Sequence, residues 1–148
     1  MEKQDWRTFN RQQLGRYAKD LAEAKFKLHG FDVLPSTVEG SAVDFTVRRG
    51  GRHYDIKVRS LTGNNYVFFE KDKFVLRENL FATVLIFTNA ESPEAFLIPS
   101  TQWLNPNDLF VSRDYEGLKS KPEWGLNISE RNSEILAEFK FGKIAETM

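Results

Sequence analysis

Two alternating runs flank a pair of glycines. Ala42–Arg48 alternates apolar and polar residues, His53–Arg59 does the same, and Arg49-Gly50-Gly51-Arg52 lies between them. Glycine adopts positive φ without steric cost, so a Gly-Gly pair between alternating runs specifies a tight β-hairpin. Symmetric pairing about that turn sets Asp44 opposite Lys57, Thr46 opposite Asp55 and Ala42 opposite Arg59, and opposed residues share a face. One face then carries Val43, Phe45, Val47, Tyr54, Ile56 and Val58; the other carries Asp44, Thr46, Arg48, His53, Asp55, Lys57 and Arg59. A two-stranded hairpin is marginal in water. Its apolar face therefore demands a helix or a second layer as cover.

The chain supplies the cover on its N-terminal side. From Arg11 to His29, Leu14, Tyr17, Ala18, Leu21, Ala22, Ala24 and Leu28 recur at helical spacing, and Gly30 is placed to end the helix. Phe31–Leu34 reads as a strand stopped by Pro35, with further strands at Tyr66–Phe69, Phe81–Thr88, Ala95–Ile98 and Trp124–Ile128. Ser100 is a candidate cap for a short helix at Thr101–Leu104, and Ser129 or Ser133 for a last helix carrying Ile135, Leu136 and Phe139. Asp114–Glu123 reads as a loop. This order implies an α/β (α+β) chain with a central sheet and the N-terminal helix on one face. At 148 residues, with 20 aromatics and no linker or repeat, a single domain over residues 1–148 is expected.

Composition excludes several chemistries. Cysteine is absent and histidine numbers two, so disulfides, thiolate metal sites and thiol catalysis are ruled out and a histidine metal site is not expected. The charged N-terminus and the shortness of the longest apolar run, Val84–Phe87, predict a cytoplasmic protein with no membrane segment. The net charge of zero hides an asymmetry. Residues 1–73 hold 14 Lys and Arg against 10 Asp and Glu, whereas residues 74–148 hold 7 against 11. The basic half contains the hairpin, which fits a focused polyanion site better than indiscriminate binding.

The polar face admits two chemistries. Two neighbouring carboxylates, Asp44 and Asp55, are oxygen ligands of the kind Mg²⁺ prefers, and Lys57 beside them can orient a water. Alternatively, cross-strand ion pairs simply solvate the face.

The wider context carries a resemblance. A helix, then Gly30-Phe31-Asp32-Val33, then Val43-Asp44-Phe45, then Tyr54-Asp55-Ile56-Lys57-Val58-Arg59-Ser60 resembles the PD-(D/E)xK nuclease superfamily, above all its Holliday-junction-resolvase and tRNA-endonuclease-like members. In that pattern a Gly-x-x-x-Glu helix leads to a G-F-x-V strand, an Asp-bearing strand and a strand reading I-(E/Q)-V-K-(S/T). The resemblance covers about Leu14 to Ser60 and implies a restriction-endonuclease-like fold. It places Asp44 on the first metal-binding aspartate and leaves two registers for the next motif. In one, Asp55-Ile56-Lys57 is the D-x-K, with Asp44 and Asp55 as metal ligands and Lys57 catalytic. In the other, Lys57 replaces the second ligand and Arg59 the catalytic lysine; the hairpin pairing favours this one. Lys19 stands where the family often has glutamate.

Three functions follow. The first is Mg²⁺-dependent phosphodiester hydrolysis on DNA or RNA by Asp44, Asp55 and Lys57. The second is metal-free nucleic-acid binding, with Lys19, Arg48 and Arg59 as phosphate contacts. The third is a protein–protein module on the same fold. Resolvase-like relatives often dimerise, so the resemblance leaves a homodimer open.

Overall fold

The computed structural model describes residues 8–36, 42–88 and 92–148. Its elements are α1 (Arg11–Leu28), β1 (Asp32–Pro35), β2 (Phe45–Arg49), β3 (Arg52–Thr62), β4 (Tyr66–Glu70), β5 (Leu80–Phe87), β6 (Glu94–Pro99), a 3₁₀ turn (Ser100–Leu104), β7 (Phe110–Arg113), β8 (Glu123–Asn127), a second 3₁₀ turn (Glu130–Asn132), α2 (Ser133–Ala137) and α3 (Phe141–Ala145). A five-stranded mixed sheet runs β1-β2-β3-β5-β6, and a three-stranded sheet runs β4-β8-β7. β3 and β5 are parallel; the other neighbours are antiparallel.

The hairpin has the register its sequence demands, with Phe45 opposite Ile56, Thr46 opposite Asp55 and Arg49 opposite Arg52. Gly50 and Gly51 both take positive φ, 61° and 78°, the condition for a two-residue turn matched to strand twist. Phe45, Val47, Tyr54, Ile56 and Val58 pack with the helix residues Leu14, Ala18, Ala22 and Phe26.

Local signals set the ends of α1. Asn10 accepts from the Gln13 backbone N–H, and the Gln13 side chain accepts from Asn10 N–H, closing a reciprocal cap. At the other end Phe31 N–H reaches Phe26 carbonyl and Gly30 N–H reaches Lys27 carbonyl, with Gly30 at φ 85°. This is the two-bond termination that glycine favours. Phe26 is fully buried against Phe31, Phe45 and Phe141, an anchor the apolar stripe omitted, while Ala24 and Leu28 lie exposed. The buried row descends in steps of four, Leu14-Ala18-Ala22-Phe26, and turns away from positions 24 and 28.

β5 lies between two layers. Phe81, Leu85 and Phe87 face α1, while Leu80, Ala82, Val84 and Ile86 join the core beneath the small sheet. Burial on both faces explains its unbroken apolar run. Residues 55, 57, 59 and 61 of β3 stand beside 80, 82, 84 and 86 of β5, so the polar face of the hairpin points to the side of the small sheet. That sheet buries Leu61 at the end of the row.

Several expectations change. Ser100 does not cap; buried, its hydroxyl bonds Arg77 N–H and carbonyl. Neither Ser129 nor Ser133 forms a side-chain cap; Asn132 precedes α2, and Phe139 is buried beyond the end of that helix. β7 and α3 lacked expectation because four- and five-residue elements show too little periodicity. Among the described residues no helix is long and apolar enough to cross a membrane.

Candidate functional site

Asp44 sits at the entrance to β2, where its backbone N–H bonds Ile56 carbonyl at 2.9 Å. Its Oδ2 accepts the Val58 N–H at 2.7 Å and faces Lys57 Nζ at 3.6 Å. Lys57 and Asp44 are both largely enclosed, with 20% and 26% of their side chains exposed. Burial pushes the Lys57 amine below the ordinary lysine range; Asp44 opposes this shift, and Arg59 and Lys73 add to it. Arg59 lies over the Phe69 ring, 4.9 Å from its centre. Burial lowers its guanidinium pKa too, against the pull of Asp44 and Glu70, although a guanidinium stays charged in a protein.

The other candidate residues fall in different surroundings. Asp55 accepts from the Thr46 hydroxyl at 2.9 Å and from Arg77 Nη2 at 2.6 Å. Arg48 pairs with Asp32 of β1 at 3.2 Å near the hairpin tip, with both side chains exposed. Lys19 comes to Lys57 and Arg59: Gln12, Gly15, Arg16, Lys19 and Asp20 of α1 line a cleft closed by Asp44, Lys57 and Arg59. Positions 12, 15, 16 and 19 share one helix face, which brings Arg16 into the site, a residue not among the expected phosphate contacts. A second cavity, holding Phe68, Glu70, Lys73 and Phe74, opens on the other side of Lys57 and Arg59. No local pattern announced Arg77 or Glu70; both reach the site by long-range packing.

The Asp44–Asp55 pair does not suit Mg²⁺. The ion prefers several oxygen ligands in octahedral array. Asp44 is already engaged by an N–H and an ammonium, and Asp55 by a hydroxyl and a guanidinium. Among the described residues no three His, Asp or Glu side chains gather as a metal site. Four cations, Arg16, Lys19, Lys57 and Arg59, face two acids, Asp20 and Asp44, across the cleft. Such a balance attracts an anion.

Comparison with known structures places the architecture. A Holliday junction resolvase, Hjc of the archaeal hyperthermophile Archaeoglobus fulgidus, superposes with a TM-score of 0.55 at 9% identity, over 89% of this chain and 95% of its own. The bacterial homing endonuclease I-Ssp6803I superposes with a TM-score of 0.51 at 15% identity, over 94% of this chain and 99% of its own. The fold is restriction-endonuclease-like. No family model matches the chain, and no curated protein sequence does. The mixed five-stranded sheet with α1 on one face thus has the restriction-endonuclease-like arrangement, and Asp44, Lys57 and Arg59 line its cleft.

Proposed function

We propose that this restriction-endonuclease-like chain binds nucleic acid without a metal ion, gripping backbone phosphate in the cleft between α1 and β3. The observation that carries the reading is the pair of partly buried cations, Lys57 and Arg59, that share Asp44 as their cleft-side acid with Arg16 and Lys19 beside them. Asp44 holds Lys57 in place while leaving net positive charge, and a phosphodiester restores the missing counter-charge. Arg59 offers N–H donors in a planar fork suited to phosphate oxygens, and Lys57 acts as a point charge. Two solved structures of the same fold, described above, are a resolvase and a homing endonuclease, which supports a nucleic-acid ligand.

Fluorescence anisotropy with labelled DNA and RNA oligonucleotides in EDTA tests this. Binding should persist without divalent ions and weaken steeply with salt. The Lys57→Ala/Arg59→Ala double variant should lose at least tenfold in affinity and flatten the salt slope by about 1–2. Binding that requires Mg²⁺, or that survives the double substitution, refutes the proposal.

A second reading, metal-dependent phosphodiester hydrolysis, draws on Asp20 and Asp44 lining one cleft with Lys57. It predicts cleavage with Mg²⁺ or Mn²⁺ that disappears in Asp44→Asn, and no cleavage of any substrate sinks it.

A further inference from the structure

The cavity on the far side of Lys57 and Arg59 differs in character from the phosphate cleft. Its wall includes Phe68, Glu70, Lys73 and Phe74. Phe69 and Phe74 stack with centroids 4.5 Å apart and form an apolar base that is almost fully buried. Phe68, in contrast, is 49% exposed at the cavity wall. Glu70 brings an acid into an otherwise cationic groove. Its Oε2 is enclosed and makes no hydrogen bond, but it is ion-paired with Lys73 at 3.3 Å and Lys121 at 3.9 Å, and its charge also reaches Arg59; the rest of the carboxylate borders the cavity.

A carboxylate repels phosphate and only accepts hydrogen bonds. A ligand group that lies against it donates hydrogen bonds, and one that lies against Phe68 does best with a flat apolar face. A nucleobase offers both. Its amino and imino donors on the pairing edge are free only when the base is unpaired, and its flat face is open to a side chain only when it is unstacked. The two hollows share Lys57 and Arg59, so a strand whose phosphate occupies the cleft carries its own base to the cavity.

We infer that this cavity takes an unpaired nucleobase, with Phe68 as stacking platform and Glu70 as acceptor, so that the ligand is single-stranded or locally unpaired nucleic acid. The inference rests on the phosphate-binding reading above. A cationic track with aromatic platforms is the physical recipe for gripping a single strand.

The test measures affinity for a single-stranded oligonucleotide and for the duplex of the same sequence, at one ionic strength and without divalent ions. The wild-type chain should prefer the single strand at least tenfold. Phe68→Ala should shrink that preference by about fivefold or more, the loss of one base–aromatic stack, and Glu70→Ala should shrink it as well. Lys57→Ala/Arg59→Ala, at residues that both hollows share, should lower the affinity for single strand and duplex alike at least tenfold. Equal or tighter duplex binding, or an unchanged preference in both the Phe68 and Glu70 variants, overturns the base subsite while the phosphate reading stands. Absence of any binding by the wild-type chain overturns both. Phe68 is half exposed, and an unchanged thermal melt confirms that its variant is folded.

Discussion

Gly15 lies in the interior of α1, where glycine is about 0.8–1 kcal/mol worse than alanine. Its backbone does not take positive φ, and a Cβ built there meets nothing within 4 Å. Neither conformation nor packing therefore offsets the cost. Gly15→Ala should stabilise the fold by about 0.4–1 kcal/mol. With an unfolding entropy of about 2.1 cal/mol/K per residue, a chain of 148 residues has roughly 0.3 kcal/mol/K in total, so Tm rises by about 1–3 °C. The same methyl group projects into the cleft lined by Arg16, Lys19, Lys57 and Arg59. If phosphate approaches the helix backbone there, the methyl displaces it, and an overpacking cost of about 1–2 kcal/mol lowers nucleic-acid affinity on the order of tenfold. Thermal melts and anisotropy titrations on the one variant read both effects. A lower Tm would reveal a packing role for Gly15. A higher Tm with undiminished affinity would refute a close approach of the ligand to the α1 backbone at Gly15.

Gly125→Ala should have the opposite effect on stability. An added Cβ would overlap the ring and hydroxyl of Tyr66, whose O–H donates to the buried Glu123 carboxylate. We expect a loss of about 2–3 kcal/mol, read as a lower urea midpoint at constant m. The Lys57 amine titrates in the folded chain below its ordinary 10.5. Between the folded pKa and that value the unfolded chain binds more protons, so Lys57 makes stability rise with pH across this window. Lys57→Met should flatten that part of a stability–pH curve measured by denaturant titration, while nucleic-acid affinity of the native chain falls over the same interval as the cation is lost. Asp55→Asn weakens a pair that is partly exposed on both sides, so it should cost no more than about 1 kcal/mol and leave metal-free binding within twofold. A large loss of affinity would put Asp55 into the ligand site.

How much of this was legible in the sequence follows from how local each feature is. The hairpin register needed only Gly50-Gly51 and the alternation around it, so the pairing of Thr46 with Asp55 and the approach of Lys57 to Asp44 could be read directly. The helix was legible in extent, but its buried row was misread at Ala24, Phe26 and Leu28, because small and large apolar residues at neighbouring positions fit more than one stripe. The two-faced burial of β5 showed in its unbroken apolar run, whereas the small sheet β4-β8-β7 did not. Its strands are short, and β4 pairs with β8 across more than fifty residues. For the same reason the partners of Asp55 and Lys57 were only half visible. Thr46 lay across the hairpin, but Arg77, Glu70 and Lys73 come from segments that tertiary packing alone brings near.

Asp44 separates the two readings of the cleft, provided that the substitution respects its structural work. Its Oδ2 satisfies Val58 N–H and holds Lys57. Asp44→Ala strips a partly buried donor and a partly buried cation of their partner at once, at a cost of about 1–3 kcal/mol. Loss of function in that variant would therefore report the displacement of β3 as readily as any chemistry. Asp44→Asn keeps an acceptor for Val58 N–H and removes only the charge. At a metal site that substitution abolishes activity, because a neutral amide is a poor replacement for the ligating carboxylate. At a cationic phosphate site it removes repulsion of the ligand, a gain of up to about 1 kcal/mol at a partly exposed position, or as much as about fivefold in affinity. The two readings thus predict effects of opposite sign from one atom-for-atom exchange: lost cleavage in Mg²⁺ for one, and retained or tightened binding in EDTA for the other.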